Sequence, residues 1–205
     1  MRCTHAGVYF HGAADQTAMG VYCMISHTGT QGDMDLQKKG VHKMENMEIE
    51  RKWRVSRLPG DLSEYAGIEM EQAYLNEHPT VRIRRENSGY FLTYKGISDN
   101  DVSHIEYNLP ITKEAFDHML PKCDGRIIRK KRYLIPLEDG KLKAELDVYD
   151  EPFAPLMIVE VEFPSLEEAE AFTAPEWFGE DVTHDIRFKN SSLATDIAFD
   201  PKGLL

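Results

Sequence analysis

The chain has 205 residues, 41% apolar and 29% charged, which suits one folded domain with a sizeable core and excludes a disordered or low-complexity chain. The net charge is −11. Because Arg2, Lys38, Lys39 and Lys43 balance Asp15, Asp33, Asp35 and Glu45, the whole acidic excess falls in residues 47–205, which argues against nucleic acid or an anionic membrane as partner but leaves room for a local basic pocket.

Residues 1–46 are rich in Gly, Thr and Met and carry His5, His11, His27 and His42 without a persistent period. They read as a poorly ordered extension, with Val21–Ile25 as a short strand and an irregular His/Cys metal segment as the alternative. Met44 or Met47 is a candidate start of the biological chain. Cys3, Cys23 and Cys123 match no zinc or redox spacing and read as free thiols of a reducing cytoplasm. No apolar run is long enough to cross a bilayer, and no signal-peptide pattern opens the chain.

The organising stretch is Met47-Glu48-Ile49-Glu50-Arg51-Lys52-Trp53. As a strand it puts Glu48, Glu50 and Lys52 on one face and Ile49, Arg51 and Trp53 on the other. Two neighbouring carboxylates repel, and a divalent cation between them turns that repulsion into a binding site. The competing reading is an ordinary solvated strand face. Pro59-Gly60-Asp61 then marks a turn, with Asp61 capping a short helix over Leu62–Ala66. Strands follow over Ile68–Asn76, Thr80–Arg85 and, after the hairpin turn Asn87-Ser88-Gly89, Tyr90–Lys95. His104–Leu109 is the next.

Thr112 caps a helix over Lys113–Leu120. Arg126–Pro136, a turn at Glu138-Asp139-Gly140, Lys141–Tyr149 and Leu156–Phe163 continue the strands. Ser165-Leu-Glu-Glu168 is a capping box for a helix to about Phe172, and a short helix is expected after Ser191. The sum, about eight strands in hairpins with two or three helices, favours an antiparallel α+β domain, and about eight strands can close into a barrel.

Charged faces recur along these strands. The acids are Glu48, Glu50, Glu106, Glu145, Asp147, Glu160 and Glu162; the bases are Lys52, Arg82, Arg84, Lys95, Lys130, Arg132 and Lys189. Periodicity alone does not say whether these faces meet water or line a barrel. Same-sign pairs such as Glu48/Glu50, Arg82/Arg84 and Glu160/Glu162 favour the interior, because separate acidic and basic clusters are what a polyanion with its cations needs.

From Met47 to Ala194 the sequence resembles the CYTH family, the triphosphate tunnel metalloenzymes. Glu48-Ile-Glu-Arg-Lys52 matches the family signature Glu-x-Glu-x-Lys. Thr80-Val-Arg-Ile-Arg84, Phe91-Leu-Thr-Tyr-Lys-Gly96, Lys130-Lys-Arg-Tyr133, Asp147-Val-Tyr149 and Val159-Glu-Val-Glu-Phe163 resemble its later blocks, in order. Trp177-Phe-Gly-Glu-Asp-Val-Thr183 and Asn190-Ser-Ser-Leu-Ala194 resemble the closing block of bacterial members. The chain departs from the pattern at His104 and Ile105, where many members carry Arg and Glu before the acid at Glu106, and at the proline-containing loop 150–155.

The resemblance implies an α+β fold: an eight-stranded antiparallel β-barrel over residues 47–196 with helices packed outside, followed by a tail at 197–205. It implies a hydrolase cleaving a phosphoanhydride bond of inorganic tripolyphosphate or a nucleoside triphosphate with Mg²⁺ or Mn²⁺. Glu48, Glu50, Asp147, Glu160 and Glu162 fall on the metal-side acids. Lys52, Arg82, Arg84, Lys95, Lys130, Arg132 and Lys189 fall on the triphosphate side, with Glu48, Glu50 and Lys52 closest to the chemistry. Lys52 either holds phosphate or acts as a base. An adenylyl cyclase, a thiamine triphosphatase, an RNA triphosphatase and a non-catalytic polyphosphate- or nucleotide-binding module are the alternatives. The expected protein is a cytoplasmic monomer or homodimer.

Overall fold

The computed structural model describes residues 47–55, 57–96, 102–137, 140–197 and 203. The expected extension over 1–46, with its histidines, Cys3, Cys23 and the strand at Val21–Ile25, lies outside them. So do residues 138–139 of the turn before Gly140 and most of the tail.

Eight strands build the domain: β1 (Met47–Arg54), β2 (Gly67–Asn76), β3 (Thr80–Glu86), β4 (Gly89–Lys95), β5 (Ser103–Pro110), β6 (Asp124–Pro136), β7 (Lys143–Tyr149) and β8 (Met157–Glu162). All pairings are antiparallel, in the order β5-β4-β3-β2-β6-β7-β8-β1, and β1 returns to pair with β5 and close the ring. Closure removes the free edges that an open sheet would expose. A short further strand, β9 (Glu180–Asp181), pairs with Trp53 and Arg54 outside the ring.

Local chemistry sets the joints. Asn87 sits in the left-handed region at φ 49°, as a tight hairpin turn demands. Its amide donates to the Glu69 carbonyl at 2.9 Å, and its Oδ1 accepts from the Glu69 amide at 3.0 Å, stitching the β3–β4 turn to β2. Helix α1 (Lys113–Met119) starts at Thr112, whose Oγ1 accepts from the Ala115 amide, and α2 (Leu166–Ala171) starts at Ser165, whose Oγ accepts from the Glu168 amide. The helix expected at Leu62–Ala66 is one 3₁₀ turn, Leu62–Glu64. Asp61 caps it, but Tyr65 is already extended at φ −109°, ψ 144°, and leads directly into β2.

Outward residues of β1, β7 and β8 (Trp53, Leu146, Val159, Val161) pack with Phe163, Ala169 of α2 and Phe178. Outward Ala73 and Ile83 meet Phe116 of α1. Helix α3 (Asn190–Thr195) lies on β6, where Gly125 has φ 67° and a Cβ would stand 2.0 Å from the Ala194 carbonyl oxygen. Only glycine allows that approach. Beneath α3, inward Tyr74 and Tyr149 join Phe188 and Leu193 in one buried cluster, which fills that end of the barrel. Helices therefore stand outside and the apolar core lies largely between them and the barrel wall. No described helix is long and apolar enough to cross a membrane.

Candidate active site

Alternation turns one face of each strand inward, and these faces enclose a cavity of about 520 Å³. Charged side chains line it, so the faces predicted to be charged point into the barrel and not into solvent.

One wall is acidic. β1 brings Glu48, Glu50 and Lys52, β8 brings Glu160 and Glu162, and β7 brings Glu145. Strand register places Glu50 opposite Glu162, and Glu160 opposite both Lys52 and Glu145. Opposed residues of an antiparallel pair hold their Cβ atoms about 4.5–5.5 Å apart, so the backbone itself forces these carboxylates together. The other wall is basic. β3 and β6 flank β2 and bring Arg82, Arg84, Lys130 and Arg132.

The separation is incomplete, because two lysines are set into the acidic wall. Lys52 Nζ lies 2.5 Å from Glu160 and 3.1 Å from Glu50. Lys95 of β4 pairs with Glu48, lies 3.0 Å from Glu50 and stands 3.9 Å from Glu106. Burial works against the Glu50 carboxylate, but Lys52 and Lys95 overcome it and hold its pKa at about 2. Glu160 is likewise driven well below the ordinary range by Lys52 and Arg132 in spite of burial. Lys52 answers them: burial opposes its charge, yet Glu160 and Glu50 raise its pKa and keep it an ammonium. That state suits a phosphate-binding lysine, and nothing in this arrangement favours a base.

At other acids burial outweighs the neighbouring cations. Burial, with the neighbouring Glu50, pushes Glu48 up to about 7 against the pull of Lys95. Burial and the Glu145 and Glu50 charges raise Glu162, and burial raises Glu145 despite Arg132. The basic wall is divided too: burial works against Arg82 and Arg132, but their partners raise both. Burial and the adjacent Arg82 push Arg84 down to about 10, although Glu86 lies 2.7 Å from its Nε.

Asp147 is placed differently from the other predicted acids. It is fully buried, pairs with Lys130, and accepts two bonds of 2.7 Å from Arg132, so it lies behind these bases and off the cavity surface. Arg132 continues to Glu160 at 2.6 Å and to Glu145. Burial lowers Lys130 to about 8 even with Asp147 beside it. Lys189, just before α3, lines the cavity as predicted, and Tyr149 donates to Asn190 Oδ1 at 2.6 Å to fix that segment.

Sequence reasoning passed over the inward side chains between the charges. Gln72 and Tyr74 of β2 stand opposite Arg84 and Arg82, and Gln72 Nε2 donates to Tyr74 Oη at 3.0 Å. Across β4 and β5, Thr93 Oγ1 donates to Asn108 Oδ1 at 2.6 Å, and Asn108 Nδ2 donates to Glu106 Oε1 at 2.7 Å. The signal was present as alternation with Glu106, which puts His104 and Asn108 on the same face. Cys123 is a free thiol, as expected, and lies outside the cavity lining.

Among the described residues, no three His, Cys, Asp or Glu side chains already converge as a cage for a metal ion. The ammonium and guanidinium heads stand between the carboxylates instead.

Comparison with known proteins follows the same outline. The CYTH domain model matches residues 46–196. The chain is 42% identical to an inorganic triphosphatase of Nitrosomonas europaea, over 73% of this chain and 98% of that protein. It is 34% identical to an inorganic triphosphatase of Acetivibrio thermocellus, over 71% of this chain and 92% of that protein. A crystal structure of an inorganic triphosphatase superposes with a TM-score of 0.54 at 39% identity, covering 72% of this chain and 93% of that one.

Proposed function

The chain belongs to the CYTH domain family, and from that membership we propose that it is a metal-dependent triphosphatase that cleaves a phosphoanhydride bond of inorganic tripolyphosphate within the barrel. One observation carries this reading: a wall with surplus carboxylate charge and a wall with surplus guanidinium charge face each other across one cavity. A polyanion with its cations relieves both at once.

The donor set fits a divalent cation. Glu50 and Glu162 are opposed across β1 and β8, and Glu48 and Glu160 line the same wall. Hard oxygen donors of this kind suit Mg²⁺ and Mn²⁺. Glu48, Glu50, Glu160 and Glu162 are the residues to hold it. When bound, such an ion supplies charge neutralisation and a water of lowered pKa.

The chain's own groups do the rest. Arg82 and Arg84 grip non-bridging phosphate oxygens, where their forked donors match the anion, and Lys95, Lys130 and Lys189 add point charges. Lys52 bridges the acidic wall to the phosphates as a fixed ammonium. Stabilising charge on the transferring phosphoryl group is the main catalytic need, and these donors are already oriented by their ion pairs. Asp147 acts at one remove by holding Arg132 and Lys130. The chiefly ionised lining suits phosphates better than a nucleobase, so tripolyphosphate ranks before nucleoside triphosphates. The reading keeps the cytoplasm as location and a monomer or homodimer as the working form.

The test is phosphate release from tripolyphosphate, ATP and pyrophosphate, each with Mg²⁺, with Mn²⁺ and with a chelator. Metal-dependent release, fastest from tripolyphosphate and lost in Glu50→Ala, is the expected result. Release that survives the chelator, or no release from any of the three, would overturn it.

A further inference from the structure

The Asn190–Ala194 block forms most of α3, and α3 is pinned to one end of the barrel from two sides. Gly125 of β6 admits the Ala194 carbonyl, and Thr195 Oγ1 donates to Glu77 Oε2 at 3.1 Å in the β2–β3 turn. Tyr74, Tyr149, Phe188 and Leu193 pack beneath the helix, so this end of the cavity is closed.

Asn190 lines the cavity at that end and is only 8% exposed. A primary amide has an acceptor oxygen and a donor nitrogen, and burial obliges it to place each of them. Tyr149 settles the choice, because its hydroxyl donates to Asn190 Oδ1 at 2.6 Å. Burial raises the Tyr149 pKa well above the ordinary value, so the hydroxyl keeps the proton it donates. With the acceptor end held by the barrel, the Nδ2 hydrogens are what the amide offers to the cavity. Cations stand beside it. Register sets Lys130 opposite Tyr149 across β6 and β7, and Arg82 opposite Tyr74 across β3 and β2.

We propose that the Asn190 amide is a substrate contact: Nδ2 donates to a non-bridging oxygen of a terminal phosphate at the end that α3 closes, so the site reads the end of a chain. A terminal phosphate carries one more non-bridging oxygen than a mid-chain one, and a donor seated at a closed end meets that group first. A ring-shaped polyphosphate has no such group to present. Lys130 and Arg82 supply the charge, and the neutral amide adds direction. The inference rests on the triphosphate reading above and extends it to which part of the substrate is recognised.

Calorimetric titration of the full chain in chelator reads binding apart from turnover. The probes are linear tripolyphosphate and cyclic tetrametaphosphate, a polyanion of similar charge without a chain end. Wild type is expected to bind the linear compound at least about tenfold more tightly. Asn190→Ala and Tyr149→Phe break the same internal hydrogen bond, but only the first removes the donor. Asn190→Ala should weaken tripolyphosphate binding about 30-fold and Tyr149→Phe less than about fivefold, with the cyclic compound little affected by either. Equal losses in the two variants would mean that Asn190 only anchors α3, and would overturn the assignment. Should Asn190→Ala not fold, wild type decides alone: linear and cyclic compounds bound alike overturn the chain-end contact. Linear binding without metal-dependent phosphate release removes the hydrolase reading and leaves the Asn190 contact standing. No binding of tripolyphosphate at all overturns both.

Discussion

The acidic wall of β1, β7 and β8 and the basic wall of β3 and β6 solve the same problem in opposite ways. Both hold buried charges at backbone-fixed spacing. On the acidic wall two lysines are set among the carboxylates, so Glu50 and Glu160 are held well below the ordinary carboxylate range while burial keeps Glu48, Glu145 and Glu162 above it. The basic wall is supported from behind, where Asp147 holds Lys130 and Arg132 in place without entering the cavity. Built-in counter-ions thus satisfy the part of each wall that must stay put, and the remainder is left for the ligand.

The largest effect comes from breaking the acidic wall at its centre. Glu50→Ala removes a partner of both Lys52 and Lys95. Turnover of tripolyphosphate is expected to fall by about 1000-fold, with far-ultraviolet circular dichroism unchanged. A loss of less than about tenfold would mean that this wall is not where the cation acts.

Asp147→Ala breaks the basic wall from behind. It leaves the buried Lys130 without its carboxylate and takes one of three from Arg132, and it should cost about 3 kcal/mol of stability, read as a lower urea midpoint in chelator. Arg84→Ala acts at the front of the same wall. It should lower kcat/KM about 100-fold and hardly move the urea midpoint, with Arg84→Lys recovering only part because the fork is lost. Equal destabilisation by the two substitutions would erase the distinction between front and back.

The smallest effect separates two acids of one strand by pH. Glu48 ionises at about 7 in the folded chain against an ordinary 4.5, so the folded state keeps a proton the unfolded state has lost. Stability in chelator therefore falls as pH rises through that window, and Glu48→Gln should flatten the fall by on the order of 2 kcal/mol. Glu50, held at about 2, contributes stability above pH 4.5 that is lost as pH falls toward 2. Urea midpoints between about pH 5 and 7 distinguish the two, and an unchanged slope in Glu48→Gln would locate the proton elsewhere.

Much of this was legible in the chain itself. Alternating charge and bulk in Met47–Trp53 and Thr80–Arg85 marked both strands and the set of side chains on each face, because a strand's period is fixed by its backbone. Which face turns inward was not legible from the period, since a barrel filled with charge and a sheet bathed in water share one pattern; the family resemblance decided it. The depth of a residue along that inward face was also hidden. Glu145 and Asp147 look equivalent in sequence, yet one lines the cavity and the other is covered by Arg132. The lysines in the acidic wall were hidden for another reason. Lys95 reaches Glu48 and Glu50 only because β5 closes on β1, and closure is a long-range event that local spacing does not encode.

The register of Glu50 against Glu162 has a consequence for biosynthesis. These residues lie near opposite ends of the barrel sequence, and β1 has no other long partner. While the chain emerges from the ribosome, Glu50 and Lys52 stay without their β8 neighbours until Glu160 and Glu162 have been translated. The acidic wall is therefore the last part of the barrel to assemble, complete only when β8 takes its place.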